Sequence, residues 1–568
     1  MRVLVIGANA CGAKTACRLK RLKPDWEVVL IDRDEEISYG ACGIPYFISG
    51  DVPEETALRE TSFHTVRDKA FFENAKGLVV LTRTLAQEID RKNKVVKVKK
   101  LDTGEEETLS YDKLVIATGA SPKVLPIPGK DLEGVYTISG LKAAVEIKQK
   151  IARGEVEKPL IIGAGFIGLE MTEAFSDLWG LPVTLLEYFP QVMPRILPPE
   201  LAKIVENHLR ERGVELILNA RIKEILGKDG KVCGVKMEDG KVYEADLVLM
   251  ATGIKPNSEL AKKAGLLVSP LTGGIVVNER MQTSDPDIYA GGDCVEVRHL
   301  ITGKKVLMPM GSLANRQGRV IANNLAGEFD TFPGTVGAFI LKCFDLAIGG
   351  CGLTPEVAKF EGFSDVGHAL NNQSERSHFY PGAEYAFYSL TYEKTTGRVL
   401  GFHAVGPFTD GTLARVHAIS SILPFKPTVK DLIQLELAYA PPFNSALDPI
   451  HDTAHVAENQ MEGRYKVLAL EEFLKILESG DAEWMFVDVR HPKESEHLVK
   501  KYANYISIRY EEFRGRVNEL PKNKKIVLLC STSRRSYEIA RFLSSKGFEH
   551  VFVLNGGLNY YRKWGLEF

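Results

Sequence analysis

The chain alternates short apolar runs with longer amphipathic ones, a pattern that predicts repeated strand–helix–strand units. Arg2 to Ile6 is a β-branched run ending at Gly7-Ala8-Asn9-Ala10-Cys11-Gly12. A helical stretch to Arg21 follows, then a strand from Glu27 to Ile31 that ends in Asp32. The unit recurs. Pro159-Leu160-Ile161-Ile162 enters Gly163-Ala164-Gly165-Phe166-Ile167-Gly168, then comes a helix, then Val183 to Leu186 ending in Glu187. Two further strands end in Ala-Thr-Gly, at Ala117-Thr118-Gly119 and Ala251-Thr252-Gly253. Ile288-Tyr289-Ala290-Gly291-Gly292-Asp293 sets an acid just past another strand. From Thr331 to Leu447 the pattern changes to mixed strands and helices with Gly-rich turns. Residues 452–463 are polar, without strand pattern, and read as a linker. Beyond them Phe486 to Arg490, Ile526 to Leu529 and Val551 to Leu554 are short buried strands between helical stretches, as in a small parallel-sheet domain.

The glycine loops carry chemistry. A loop of this kind brings backbone N–H groups and a helix N-terminus against a pyrophosphate, and the acid ending the next strand holds ribose hydroxyls. Gly163, Gly165 and Gly168 complete the pattern. Gly7 and Gly12 do so only in part, because Asn9 takes the middle position. The competing reading is a turn needed only for helix–strand packing. Two units imply two dinucleotides. A carboxylate at Glu187 repels a 2′-phosphate, which predicts NADH over NADPH.

Composition narrows the class. A chain of 568 residues calls for three or four domains. At 45% hydrophobic and 26% charged it reads as soluble globular protein. The net charge of -2 gives no broad basic face for nucleic acid. No apolar run spans a bilayer and no signal peptide stands at Met1, so a cytoplasmic protein is expected. The eight cysteines show no CxxC pair and no metal-type spacing, which fits a reducing compartment and predicts no metal site.

Two cysteines stand apart. Cys42, in Ser38-Tyr39-Gly40-Ala41-Cys42-Gly43-Ile44-Pro45, follows the first dinucleotide unit and has no cysteine nearby. A lone thiol there cycles through a mixed disulfide, a persulfide or a sulfenic acid. Pro45 suits the first turn of a helix, whose N-terminus favours a thiolate. Cys530, in Cys530-Ser531-Thr532-Ser533-Arg534-Arg535-Ser536, follows an apolar strand. Its loop is suited to curl backbone N–H groups around a sulfur anion, with a helix from Ser536 adding its positive end.

On its glycine loops, its two Ala-Thr-Gly strand ends and Gly292-Asp293, the chain resembles the two-dinucleotide flavoprotein reductases, the pyridine nucleotide-disulfide oxidoreductases. The resemblance runs to about Pro449. It implies FAD at Gly7, Gly12, Asp32, Thr118, Gly119, Asp293 and Ala314, and NADH at Gly163, Gly165, Gly168, Glu187 and Gly253. The implied architecture is α/β: a two-dinucleotide-binding flavoprotein reductase fold, a mixed α+β dimerisation domain and a C-terminal rhodanese α/β domain. Its boundaries are 1–150 with 251–328 for FAD, 151–250 for NAD, 329–451 for dimerisation, 452–463 for the linker and 464–568 for the rhodanese domain. That last segment resembles rhodanese through Asp488-Val489-Arg490 and the Cys530 loop, with Arg535 five positions after the cysteine; related phosphatase loops need one residue more.

Among single-cysteine reductases, the oxidase and peroxidase branch places a His in the first glycine loop, and this chain has none. The other branch resembles coenzyme A-disulfide reductase. Its Tyr-Pro-Gly and Tyr-Ala-Pro-Pro segments correspond to Tyr380 and Tyr439, which the resemblance brings to the partner's cysteine in a homodimer. It also places coenzyme A on Lys14, Arg18, Arg21, Ser38, Ala41 and Asn315. By spacing alone Arg18 and Arg21 suit a solvated basic face equally well, and each tyrosine taken singly suits ordinary packing. Leu447 stands where the resembled reductase carries Lys. The function implied is NADH-dependent, FAD-dependent reduction of persulfides, polysulfides or disulfides of coenzyme A or a similar small thiol. Cys42 and Cys530 are the sulfur-handling residues, and sulfide and thiol are the products. The alternatives are an NADH oxidase or peroxidase cycling through a sulfenic acid, and a redox-sensing docking protein.

Overall fold

Val3, Leu4 and Val5 are fully buried, as a strand covered on both faces requires. Arg2–Ile6 is the middle of a parallel sheet ordered Ile288–Ala290, Lys113–Ile116, Arg2–Ile6, Glu27–Ile31, Val79–Leu81. The first of these strands comes from far along the chain, so the sheet closes only after a second one has been built. That second sheet runs Thr184–Leu186, Pro159–Ile162, Leu247–Met250, Val135–Tyr136, also parallel. The chain crosses between them twice, and the two crossings pair as an antiparallel ribbon, Ala120–Pro122 with Ile254–Pro256. Each crossing strand directly follows an Ala-Thr-Gly.

The computed structural model describes residues 1–138 and 140–568. The strands named so far lie in one unit, Met1–Tyr188 with Asn219–Thr335, and a second unit comprises Phe189–Leu218 with Val336–Phe568. Among the described residues no helix is long and apolar enough to cross a membrane.

The second unit holds an antiparallel sheet ordered Phe339–Cys343, Leu346–Gly352, Val399–Pro407, Tyr385–Glu393, Val366–Ser374. Residues 452–463, read from sequence as a linker, belong mostly to a helix, Pro449–Met461, which packs on strand Val366–Ser374. Asp448 caps it, its side chain accepting from Ile450 N at 2.7 Å. The helix hides from a hydrophobicity pattern because its buried face is small and polar: His451, Thr453, Ala454 and Ala457. After it comes a parallel sheet ordered Lys466–Leu468, Val551–Leu554, Lys525–Leu529, Trp484–Asp488, Tyr505–Ser507. Asp488 and Arg490 form a fully buried ion pair at its floor, 2.6 Å apart, with the Tyr505 hydroxyl donating to Asp488 at 2.7 Å. A buried charge pair of this kind persists only because every oxygen finds a donor.

Candidate active site

The two glycine loops fold alike for a steric reason. Gly7 has φ +103°, and a Cβ there would lie 2.1 Å from the Ala117 carbonyl oxygen. Gly163 has φ +104° and a Cβ position 2.5 Å from the Ala251 oxygen. A Cβ on Gly12 or Gly168 would lie 1.8 Å from the carbonyl oxygen of Gly7 or Gly163, so the following helix sits directly on its loop. Gly165 is different, since its Cβ would meet nothing within 4 Å. The fold itself does not require glycine there, and the room suits close approach of a pyrophosphate.

The acids repeat too. Asp32 Oδ2 accepts from Ala8 N at 2.6 Å and Glu187 Oε2 accepts from Ala164 N at 2.7 Å. Each therefore braces its own loop. Burial raises the Asp32 carboxyl above its ordinary range, against the pull of amides from Asp34 and Ala8.

Where the chain crosses between sheets, Thr118 Oγ1 donates to Asn257 O at 2.6 Å and Asn257 Nδ2 donates back to Thr118 O at 2.8 Å. The Gly292-Asp293 turn is fixed by Gly292 N donating to Gln317 Oε1 at 2.7 Å. Gln317 and Ala314 share the helix Gly311–Leu325, and the Cβ of a residue at 292 would meet Cys11 and Ala314. Burial pushes the Asp293 carboxyl up to about 6, with no charged neighbour to oppose it. A carboxyl stranded in this way suits the hydroxyls of a ribityl chain. The first loop and Asp293 therefore fit FAD, and the second loop fits a pyridine dinucleotide.

Cys42 lies in a short turn, Ala41–Gly43, closed by Gly43 N donating to Gly40 O at 2.8 Å. The helix Ile44–Ser49 begins directly after it, with Pro45 in its first turn. The Cys42 sulfur also stands near the start of Gly311–Leu325, 3.8 Å from where a Cβ on Gly311 would be. The surroundings of the thiol oppose the preference expected of a helix N-terminus. Although the residue is exposed, its surroundings withhold enough water to push the thiol up, and the Glu170 and Asp293 carboxylates push the same way.

Glu170 was missed from sequence. It stands in Phe166–Ser176, the helix after the second glycine loop, where burial lifts its carboxyl to about 7. The available signal was an acid set between Leu169 and Met171, on a helix whose only other acid is Glu173. Cys294 is buried and donates to Gly291 O at 3.3 Å, a structural thiol.

The residues proposed for a phosphate-bearing thiol are only partly drawn together. Lys14, Arg18 and Arg21 lie on helix Ala10–Leu22, and Arg18 Nε donates to Asn323 Oδ1 at 3.0 Å. Lys14 and Arg21, with Lys76, act on the Cys17 thiol, so Lys76 joins this cationic group. Asn315 Nδ2 donates to Gly311 O at 2.9 Å, one helical turn along from the residue that faces the Cys42 sulfur. Ala41 belongs to the cysteine turn itself. Ser38 is buried with φ +54° and donates its backbone N–H to Ala8 O at 3.0 Å, so it shapes the loop through its main chain.

The second unit carries the tyrosines. Tyr380 and Tyr439 are both exposed, and their segments are laced together. Ser377 N donates to Pro441 O at 3.3 Å and Ser377 Oγ to Asn444 O at 3.1 Å. Arg415, 4% exposed, anchors both segments: it donates to the Glu375 carbonyl at 2.8 Å, to Asn444 Oδ1 at 3.0 Å and to the Asp448 carboxylate at 3.1 Å. Nothing in the sequence around Arg415 marks it for this role. Leu447 is exposed at the end of the Tyr439 segment.

Cys530 is 1% exposed at the end of strand Lys525–Leu529. The helix after it is Arg534–Ser545, two residues earlier than the sequence reading placed it. Arg535 is half-buried in its first turn, facing Tyr510 and Glu511. The Ser536 hydroxyl in the same turn is buried with no hydrogen-bond partner among the described residues.

Residues 1–318 match the family described as pyridine nucleotide-disulphide oxidoreductase, residues 339–450 its dimerisation domain, and residues 469–563 the rhodanese-like domain. The solved structure of a NAD-dependent persulfide reductase from A. fulgidus superposes with a TM-score of 0.92 at 41% identity, covering 99% of this chain and 100% of that one. An NAD(P)H sulfur oxidoreductase (CoA-dependent) of Pyrococcus furiosus is 38% identical over 457 residues, 80% of this chain and 98% of its own. An NADH oxidase of Methanocaldococcus jannaschii is 37% identical over 465 residues, 82% of this chain and all of its own.

Proposed function

The chain belongs to the pyridine nucleotide-disulphide oxidoreductase family, and from that premise we propose that it uses NADH to reduce the persulfide or disulfide of coenzyme A, or of a similar small thiol, through Cys42. The family binds FAD and NADH. FAD held by the Gly7–Gly12 loop, Asp32 and Asp293 would supply the hydride acceptor for the nicotinamide and the two electrons that sulfur needs. The observation that carries the proposal is that Cys42, like every cysteine in the chain, is a free thiol. With no second cysteine to close on, its oxidised form is a disulfide with the substrate itself.

The steps balance as follows. The Cys42 thiolate attacks the inner sulfur of R–S–SH, forming Cys42–S–S–R and expelling HS⁻. Two electrons then cleave that bond, restoring the Cys42 thiolate and releasing RS⁻. With protons counted, NADH, H⁺ and RSSH give NAD⁺, RSH and H₂S. The Tyr380 and Tyr439 phenols, presented by the second subunit of a homodimer, donate to the departing thiolate. Lys14, Arg18 and Arg21 hold the phosphates of the thiol. Glu187 selects NADH. Cys530 takes the outer sulfur of a donor persulfide, R′–S–SH, as Cys530–S–SH with R′–SH leaving and Arg535 holding the donor; the small thiol RSH then takes that sulfur as R–S–SH and the Cys530 thiol is restored. Free cysteines throughout fit the cytoplasm.

Anaerobic incubation of the FAD-loaded protein with coenzyme A persulfide tests the proposal. One sulfide released per NADH consumed is the expected result. NADH consumption that depends on oxygen and yields no sulfide overturns it in favour of the oxidase reading, which the relative from Methanocaldococcus jannaschii keeps in view.

A further inference from the structure

Two asparagines sit where an antiparallel sheet has no use for them. Asn371 and Asn372 lie in Val366–Ser374, an edge strand, and are 5% and 1% exposed. A buried amide needs partners at both its oxygen and its nitrogen. For Asn372 both come from the rhodanese module: Nδ2 donates to the Gly556 carbonyl, and Oδ1 accepts from Asn559 Nδ2 at 2.8 Å. Asn555 adds itself to the strand's edge, Oδ1 accepting from Leu370 N and Nδ2 donating to His368 O, both at 3.3 Å. The Tyr560 hydroxyl reaches the carbonyls of Asn371 at 3.2 Å and Tyr388 at 3.1 Å.

The turn that makes these contacts also builds the sulfur loop. Leu558 N donates to Cys530 O at 2.9 Å and Asn559 N to Ser531 O at 3.0 Å. Ser533 Oγ donates to Leu554 O at 2.6 Å. Gly557, at φ +79°, lies so close beneath the loop that a Cβ would stand 2.6 Å from Ser531 O, 2.7 Å from Ser533 N and 2.9 Å from Cys530 O. Ser533 has φ +65°, a conformation that a serine keeps only where its surroundings over-determine it. Those surroundings are residues 554–559, and the surface on which they are docked is strand Val366–Ser374.

We propose that Asn372, a residue of the dimerisation domain, is a positioning residue for Cys530. By clamping the Gly556 carbonyl and the Asn559 amide it fixes the turn on which the sulfur loop rests. Sulfur transfer at Cys530 thereby depends on the reductase scaffold, and the loop is held at a fixed place on the dimerisation sheet. The inference rests on reading Cys530 as a sulfur carrier.

The test uses full-length, FAD-loaded protein with glutathione persulfide as donor and cyanide as acceptor. Thiocyanate formation is counted above the background of Cys530→Ser. Asn372→Ala is expected to lower kcat about tenfold or more with the donor KM unchanged, the usual size of a lost alignment. Asn559→Ala, which leaves the backbone bond to Ser531 in place, lowers kcat in the same direction and serves if Asn372→Ala fails to fold. Turnover of a small disulfide at Cys42 stays at the wild-type value in the folded variants, and their thermal midpoints fall by only a few degrees, the scale of lost buried hydrogen bonds; loss of both activities with a collapse of the midpoint means general unfolding and overturns a positioning role. A kcat within twofold of wild type in either alanine variant also overturns it. If wild type makes no thiocyanate above background, the carrier reading fails. Hydrogen exchange of the amides of residues 531–536 then decides positioning: faster in Asn372→Ala supports it, and unchanged overturns it.

Discussion

One carboxyl should make FAD binding depend on pH. Asp293 lies three residues past the edge strand Ile288–Ala290, in a turn where burial lifts its carboxyl from 3.8 to about 6. In the flavin-free protein the group therefore holds its proton up to about that pH. Ribityl hydroxyls donate to the charged form and pull it back down, because a hydrogen bond to a carboxylate favours ionisation. Binding below about pH 6 then releases a proton, so affinity falls as pH falls, and above it affinity is flat. If the complex returns Asp293 to 3.8, the window is about two units wide and the total effect about a hundredfold. The assay is titration of flavin-free protein with FAD, read by fluorescence quenching at pH 5 and above. Wild type should bind about tenfold more weakly at pH 5 than at pH 7. Asp293→Asn should bind more weakly at pH 7 and lose most of the slope, leaving only what the raised Asp32 carboxyl contributes. The same slope in Asp293→Asn and wild type would refute the reasoning.

Three further outcomes follow from the same geometry. Gly168→Ala forces a Cβ to within 1.8 Å of a backbone oxygen and should disturb the second dinucleotide domain, whereas Gly165→Ala, with open space around it, should leave the fold intact and weaken NADH about tenfold; equal melting losses in both variants contradict this. Removing the Glu170 carboxylate takes away a charge that pushes the Cys42 thiol up, so in Glu170→Gln the alkylation of Cys42 should begin at lower pH than in wild type. An unmoved or higher profile counts against that electrostatic account. Tyr439→Phe should slow disulfide turnover roughly a hundredfold, the scale of a lost general acid, with flavin content unchanged; retained turnover removes the phenol from the mechanism.

The residues legible in the sequence are those whose geometry is set by local sterics. Gly7, Gly12, Gly163 and Gly168 announce themselves because each backbone approach leaves no room for a Cβ, and Asp32 and Glu187 because an acid ends each second strand. What was illegible depends on neighbours distant in sequence. Glu170 matters because it is buried within reach of Cys42, more than a hundred positions away, and the same neighbourhood opposes the thiolate preference read from Pro45. Helix Pro449–Met461 passed for a linker because it packs by small residues. Arg415 and Asn372 look like surface residues in a one-dimensional reading. Only the packed second unit shows that one anchors both tyrosine segments and the other joins the dimerisation sheet to the sulfur loop.

The central claim is that electrons reach sulfur at Cys42 and nowhere else in the chain. Its direct test is sulfide release from coenzyme A persulfide by Cys42→Ser under NADH, without oxygen. The account predicts no release above the rate without enzyme, while the bound flavin is still bleached by NADH and Cys530→Ser keeps releasing sulfide from this small free substrate. Sustained NADH-dependent sulfide release by Cys42→Ser would contradict it.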